Sequence, residues 1–306
     1  MKNKKELPLT HALAWIVASL FFVSCPSYCL FKHHLKKRHH WDPKYVIDSI
    51  VQTGPQREAL KTECLAELVG ISSDHLYSAH AFNLTKAKQR LLKSPLISRA
   101  ELKLIKPNTL YIDYTIRQPI AWLEDCTNIV IDKEGYPFPF SPFFSPKNLP
   151  SIYFGLAPFA TPSPDPARPY AQWGVPLTGK YVDLALDILA MVSDPKVSDL
   201  FSVKRIDVSN AFAESYGTRE IVLITEDIWI SNDVHFFFPR ILRLSTKNYA
   251  QELGNYLKLR HQLLEEERKT LVVPQGVGPV VRMKEKIIDF RIQKLAFIDE
   301  QQSSRK

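Results

Sequence analysis

Ser193-Asp194-Pro195-Lys196 is the arrangement in this sequence that comes nearest to covalent catalysis. SxxK spacing puts a lysine amine one helical turn from a serine hydroxyl, where it can act as the activating base. Pro195 disfavours that turn, and the companion SDN and KTG motifs are missing, so the four residues read as a helix end. His33, His34, His39 and His40 are metal-ligand residue types. They stand among Lys32, Lys36, Lys37 and Arg38, whose charge repels a cation, and read as a solvated flank. Asp132 and Glu134 form a carboxylate pair at a turn with no His or Cys set nearby, and solvent exposure accounts for them. GxSxG, HExxH and P-loop motifs are absent. The expectation is a chain with no catalytic residue, no metal and no cofactor.

Charge placement narrows the partners. Residues 1–40 carry seven Lys/Arg against Glu6, or +6. The remaining 33 basic and 31 acidic residues leave +2 of the total +8 for the body. A nearly neutral body lacks the footprint of a nucleic-acid binder. The basic residues instead flank Ala12–Phe31, twenty residues without charge, long enough to cross about 30 Å of hydrocarbon. An uncleaved anchor in the lipid bilayer is expected there, with a lipoprotein or a cleaved signal as alternatives. Lys2, Lys4, Lys5 and the amino terminus nearly balance the four basic residues beyond, so charge does not set the orientation. Cys25 and Cys29 lie in this segment, while Cys64 and Cys126 read as isolated thiols, with a bridge between them the alternative.

Stepping along the body, Tyr45–Thr53 reads as a strand closed by Gly54-Pro55. Arg57–Val69 places Leu60, Cys64, Leu65 and Leu68 on one helical face, with Gly70 as the terminating residue. A second helix over Asn83–Ser94 has Asn83 as N-cap and stops at Pro95. Two alternating strands follow, Ala100/Leu102/Leu104 on one face of the first and Leu110/Ile112/Tyr114/Ile116 on one face of the second. The order is β-α-α-β-β.

The remainder is β-rich. Thr127–Asp132 reads as a strand turning at Asp132–Gly135. Residues 137–176 hold eleven of the 22 prolines and read as loop or edge structure anchored by Phe, a proline-rich ligand being the alternative. Helices are expected at Tyr181–Val192 and Lys247–Glu266, and a strand at Ser202–Ser209. A strand pair over Glu220–Ile230 would meet around Glu226-Asp227, and one or two closing strands would span Lys286–Ile298.

The spacing of Gly54, Gly70-Ile71, Leu76, Pro95, Ala100, the turn Pro107-Asn108-Thr109-Leu110 and the exit Arg117-Gln118-Pro119-Ile120-Ala121 resembles a POTRA domain of the FtsQ/DivIB family of bacterial division proteins. Lys106 and Ile116 depart from that pattern. The resemblance implies an α+β chain with a single N-terminal transmembrane helix, a POTRA domain (β-α-α-β-β) and then a mixed β-sheet domain with helices. Its divisions would be a cytoplasmic tail 1–11, transmembrane helix 12–31, basic juxtamembrane linker 32–44, POTRA domain 45–121, β-domain 122–298 with the Pro-rich insert 137–176, and a disordered tail 299–306.

The function implied is a non-enzymatic divisome scaffold that recruits FtsB/DivIC-like and FtsL-like proteins by strand addition at sites of septal peptidoglycan synthesis. Other divisome components would meet the POTRA domain, with no nucleic acid and no small-molecule substrate. The partner-binding residues carried over are Ile287, Ile288, Asp289, Phe290, Arg291 and Ile292, with Ile288, Phe290 and Ile292 sharing a face. The implied location is the bacterial inner membrane at the septum, single-pass, N-terminus cytoplasmic and C-terminal domains periplasmic. A POTRA-bearing envelope assembly or secretion factor is the alternative, and a periplasmic cell-wall enzyme a third reading.

Overall fold

The computed structural model describes residues 15, 24–33, 43–55, 57–72, 77–155, 173–231, 233–269, 271, 280–292 and 294–300. The chain divides into two compact units, Met1–Ile116 and Arg117–Lys306.

In the first unit, β1 (Ser49–Thr53), β2 (Ile97–Ile105) and β3 (Thr109–Ile116) form a sheet in the order β1-β3-β2, with β1 parallel and β2 antiparallel to β3. Leu110, Ile112, Tyr114 and Ile116 are buried together, as the period-2 alternation expects. Helices α1 (Thr62–Val69) and α2 (Leu84–Leu92) contact each other and the sheet, closing the core with Leu65, Val69, Ala87, Leu91 and Ala100.

Helix α1 begins later than its apolar stripe suggests. Glu58 stands at φ +63°, a left-handed conformation that no α-helix accommodates. Gly70 ends α1 at φ +81°, its N–H bonding Glu67 O while Ile71 N–H reaches back to Ala66 O. A Cβ at Gly70 would fall 2.0 Å from Arg90 Nη1, the group that donates to Val69 O. Asn83 Oδ1 accepts from Lys86 N–H at 3.0 Å, capping α2, and Pro95 follows its end at Lys93.

The other positions of the motif are packing devices. Gly54 lies against the Tyr114 ring, where a Cβ would meet Cζ at 2.7 Å. Tyr114 hydroxyl in turn accepts from Leu60 N–H and donates to Gln52 Oε1. Pro107 and Asn108 make the β2–β3 turn, and Thr109 Oγ1 pairs with Ser49 Oγ at 2.7 Å, joining β3 to β1.

The second unit is built on one sheet in the order β13-β12-β10-β9-β8-β7-β4-β5-β6, with β11 also on β10. Its strands are β4 (Ala121–Leu123), β5 (Ile129–Ile131), β6 (Pro137–Pro139), β7 (Ser151–Tyr153), β8 (Ser202–Asp207), β9 (Ile221–Ser231), β10 (Val234–Leu244), β11 (Val280–Arg282), β12 (Lys286–Asp289) and β13 (Phe297–Glu300). Helices α3 (Lys180–Val192) and α5 (Tyr249–Lys269), with the short α4 (Pro195–Ser198) after α3, complete it. Val182, Ile188 and Leu189 of α3 and Leu253, Tyr256 and Leu263 of α5 join Ile206, Leu223, Leu242 and Ile288 in one core.

The long strand β10 has a proline at its centre. Phe237 O accepts from Met283 N–H and Arg243 O from Phe290 N–H, so alternate residues 237, 239, 241 and 243 face β11 and β12. The missing donor of Pro239 therefore faces that side, where β11 ends at Arg282 and β12 starts at Lys286. The partner strand breaks where it would have had no donor to meet.

Several expectations are corrected. Among the described residues no helix is long and apolar enough to cross a membrane. The transmembrane helix over 12–31 is therefore withdrawn, and with it the single-pass inner-membrane placement, its sidedness and the septal location. The described residues of that segment are Trp15 and 24–31, all helical, a run that includes Ser24, Pro26 and Ser27; the rest of 12–31 lies outside the described residues, as do 1–11 and most of 32–44. The strand pair expected to turn at Glu226-Asp227 is a single strand, β9, that runs through both residues. Asp299 and Glu300, expected in a disordered tail, belong to β13; 301–306 lie outside the described residues, as do 156–172 of the Pro-rich segment.

Candidate functional site

A sheet can accept another polypeptide only where an edge strand presents unpaired main-chain groups. The two ends of the second sheet differ in this respect. At the β6 end, Asp132 N–H donates to Tyr136 O and Phe140 N–H to Asn128 O, flanking the Val130–Phe138 pair. The two-residue period makes Phe138 the residue facing β5 and turns Pro137 and Pro139 outward. Both outward positions lack an N–H, so this end offers no regular ladder. In the first unit, edge strand β2 is interrupted by an irregularity between Ile97 and Arg99 and carries Arg99, Glu101 and Lys103, features that discourage pairing.

The opposite end of the second sheet is open and apolar. Among the described residues nothing pairs with the outer side of β13 or β11. Phe297 is 53% exposed and Ile298 45%, and Ile292 and Leu295 nearby are equally exposed. A groove of about 520 Å³ lies between α5 and the segment after β12, lined by Asn255, Leu259, Phe290, Ile292, Leu295 and Ala296.

The residues expected to bind a partner, 287–292, sit one strand inside this edge. Ile288 and Phe290 are core residues, while Ile287 is half-buried on the other face. Ile292 does not share their environment, because β12 ends at Asp289 and the chain leaves the sheet. Since Phe290 N–H faces β10, the main-chain groups of Ile287 and Asp289 face β13. The edge residues Phe297 and Ile298 were visible in the sequence only as the end of the apolar run from Lys286.

Charges fix the outer face beside this edge. Arg291 grips Asp289, with Nη2 at 2.7 Å from Oδ2 and both N–H and Nε at 3.0 Å from Oδ1. Arg291 Nη1 and Arg243 Nε meet on Glu220 at 3.3 and 2.7 Å. Burial alone would raise the Asp289 carboxyl, but the hydrogen bonds and charge of Arg291, then the charge of Arg243, outweigh it and hold the group below the ordinary carboxylate range. A carboxyl depressed on folding contributes its stability above its unfolded value of about 3.9 and loses it as pH falls through the folded value. Asp289→Asn should thus soften the acid loss. Urea midpoints from pH 7 to pH 3 should fall less in the variant than in the parent; superimposable acid profiles would contradict this pairing.

The residues that first suggested chemistry have structural partners. Asp132 is buried, not solvent-exposed as expected. Its Oδ2 takes Arg117 Nη1 at 2.6 Å, and its Oδ1 takes the N–H groups of Glu134 and Tyr136. The Arg117 guanidinium also lies 3.7 Å over the Tyr136 ring. Arg117 thus clamps the β5–β6 turn, with Pro119 buried beside it at the entry to β4. Ser193 closes α3, and Asp194 Oδ1 accepts Lys196 N–H with Pro195 opening α4, so the SxxK spacing is a helix joint. Cys64 and Cys126 are free thiols, each pushed upward by burial. Among the described residues no group of three or more His, Cys, Asp or Glu could hold a metal ion; His34, His39 and His40 lie outside them. No family model matches the chain, and no curated protein matches it.

Proposed function

We propose that this chain is a non-enzymatic scaffold of the FtsQ/DivIB kind, recruiting FtsB/DivIC-like and FtsL-like division proteins through strand addition at the β12–β13 side of its second sheet. The observation that carries the reading is the contrast between the two ends of that sheet. One is closed by Pro137 and Pro139, and the other presents unpaired main chain among exposed Ile292, Leu295, Phe297 and Ile298. Support from the first unit is its element order β1-α1-α2-β2-β3, the chain order the POTRA-like motif implies. In this reading the first unit meets further division components, and main-chain hydrogen bonds supply affinity while neighbouring side chains choose the partner.

The test is co-purification of the full chain with an FtsB/DivIC-type and FtsL-type pair from the same organism. Stoichiometric capture is expected. Failure of the folded chain to retain the pair at micromolar concentration would reject the scaffold role.

A further inference from the structure

The inner strand of that sheet end, β12, is covered by the chain's own β13, and the cover is weakly held. β13 pairs with β12 over four residues, Lys286–Glu300, Ile287–Asp299, Ile288–Ile298 and Asp289–Phe297. None of the described side chains of β13 is buried, whereas Ile288 across from it is wholly enclosed. The connecting residues Lys294, Leu295 and Ala296 are exposed too, and Lys294 stands at φ +64°. Segments with few buried apolar contacts and a short, solvated ladder open at the low end of a protein's range of local unfolding free energies. β12 differs, since Ile288 and Phe290 belong to the main core and Lys286 is tied to Glu267 of α5 at 3.2 Å.

We infer that β13 is a displaceable self-strand, and that a partner docks by removing residues 297–300 and pairing antiparallel with β12. This rests on the scaffold reading and specifies its docking step. The vacated ladder is that of Ile287 and Asp289, whose main-chain groups face outward once β13 leaves. β13 itself supplies the template for the incoming segment. It must be extended and carry an aliphatic residue in register with Ile288, as Ile298 is. The resident strand is tethered and competes at high effective concentration. A partner therefore has to add contacts beyond the ladder, and the exposed Ile292 and the groove beside α5 are adjacent to receive them.

A lock separates displacement from simple addition. Ile287→Cys and Asp299→Cys, in the full chain with Cys25→Ser and Cys29→Ser, place thiols at a facing pair with the Cα spacing of a ladder, about 5.5 Å, which suits a disulfide. The probe is a fluorescent peptide of sequence Lys-Leu-Ala-Phe-Ile-Asp-Glu, copying residues 294–300. Reduced chain should bind it at least tenfold more tightly than oxidised chain, and amides of 297–300 should exchange faster than those of β10. Equal binding in both redox states, or no binding to the reduced chain, would overturn displacement. The FtsB/FtsL-type pair, run in parallel, distinguishes the two readings. Capture by both redox forms keeps the scaffold and rejects displacement. Peptide exchange without capture of the pair keeps displacement and rejects the scaffold.

Discussion

Replacing Asp227 by Ala is expected to destabilise the second unit by about 3–5 kcal/mol, the range for removing one partner of a buried ion pair. Asp227 on β9 is 1% exposed, as is Arg240, and the two are joined at 3.2 Å. Its other oxygen takes Arg260 Nε of α5 at 2.6 Å. The Tyr256 phenol is pushed up by burial and then by the charge of Asp227, so it keeps its proton and donates to this carboxylate at 3.4 Å. Arg240 Nη2 continues to Glu267 at 2.8 Å, and Glu267 to Lys286 of β12.

Loss of the carboxylate leaves the Arg240 guanidinium buried with one acid in place of two, a charge that neither water nor deprotonation can relieve. Adding Arg240→Met should recover much of the loss, because buried pairs exchange for apolar residues at little net cost. Urea unfolding of the two variants reads this directly. A loss below about 1 kcal/mol for Asp227→Ala would show that the network carries little. Because the network ends at Lys286, it braces the inner side of the β12–β13 sheet end from α5.

Ile292→Asp should reduce capture of the FtsB/FtsL-type pair at least tenfold while leaving stability almost unchanged. Ile292 is 54% exposed and lies just past the end of β12, at the mouth of the groove beside α5. Exposed positions tolerate polar substitution within roughly 0.5 kcal/mol. A partner pressed against the edge would instead have to desolvate the new carboxylate and would lose the apolar contact, together about 1.5–3 kcal/mol. The matched control is Ser141→Asp, an exposed residue next to the proline-blunted β6 end, which should leave capture intact. Equal loss in both variants would remove the distinction between the two ends.

Local chemistry was the legible part of this sequence. Asn83 announced the start of α2, Gly70 the end of α1, and the alternation over 100–116 the paired strands of the first unit, because cap, turn and pleat depend on near neighbours. Long-range partners were not legible. Glu226-Asp227 carried the signature of a turn until Arg240 and Arg260 met Asp227 across strand and helix. Asp132 passed for a solvated carboxylate because Arg117, fifteen residues away, gives no sequence sign of the contact.

Strand β10 was missed altogether. Phe236-Phe237-Phe238-Pro239 shows no alternation, and a proline argues against a central strand unless a neighbouring break absorbs it, as the gap between β11 and β12 does. The separate edge strand β13 was not distinguished from β12 for a related reason. Apolar spacing over 286–298 marks residues that enter a sheet but not which of them end as its border.

Amide exchange on the full chain, with and without the FtsB/FtsL-type pair, tests the central claim most directly. Strand addition at the C-terminal side predicts new protection within residues 286–300, none at β6, and little change at β2. Protection that spares 286–300 and appears at β6 or in the first unit would contradict it.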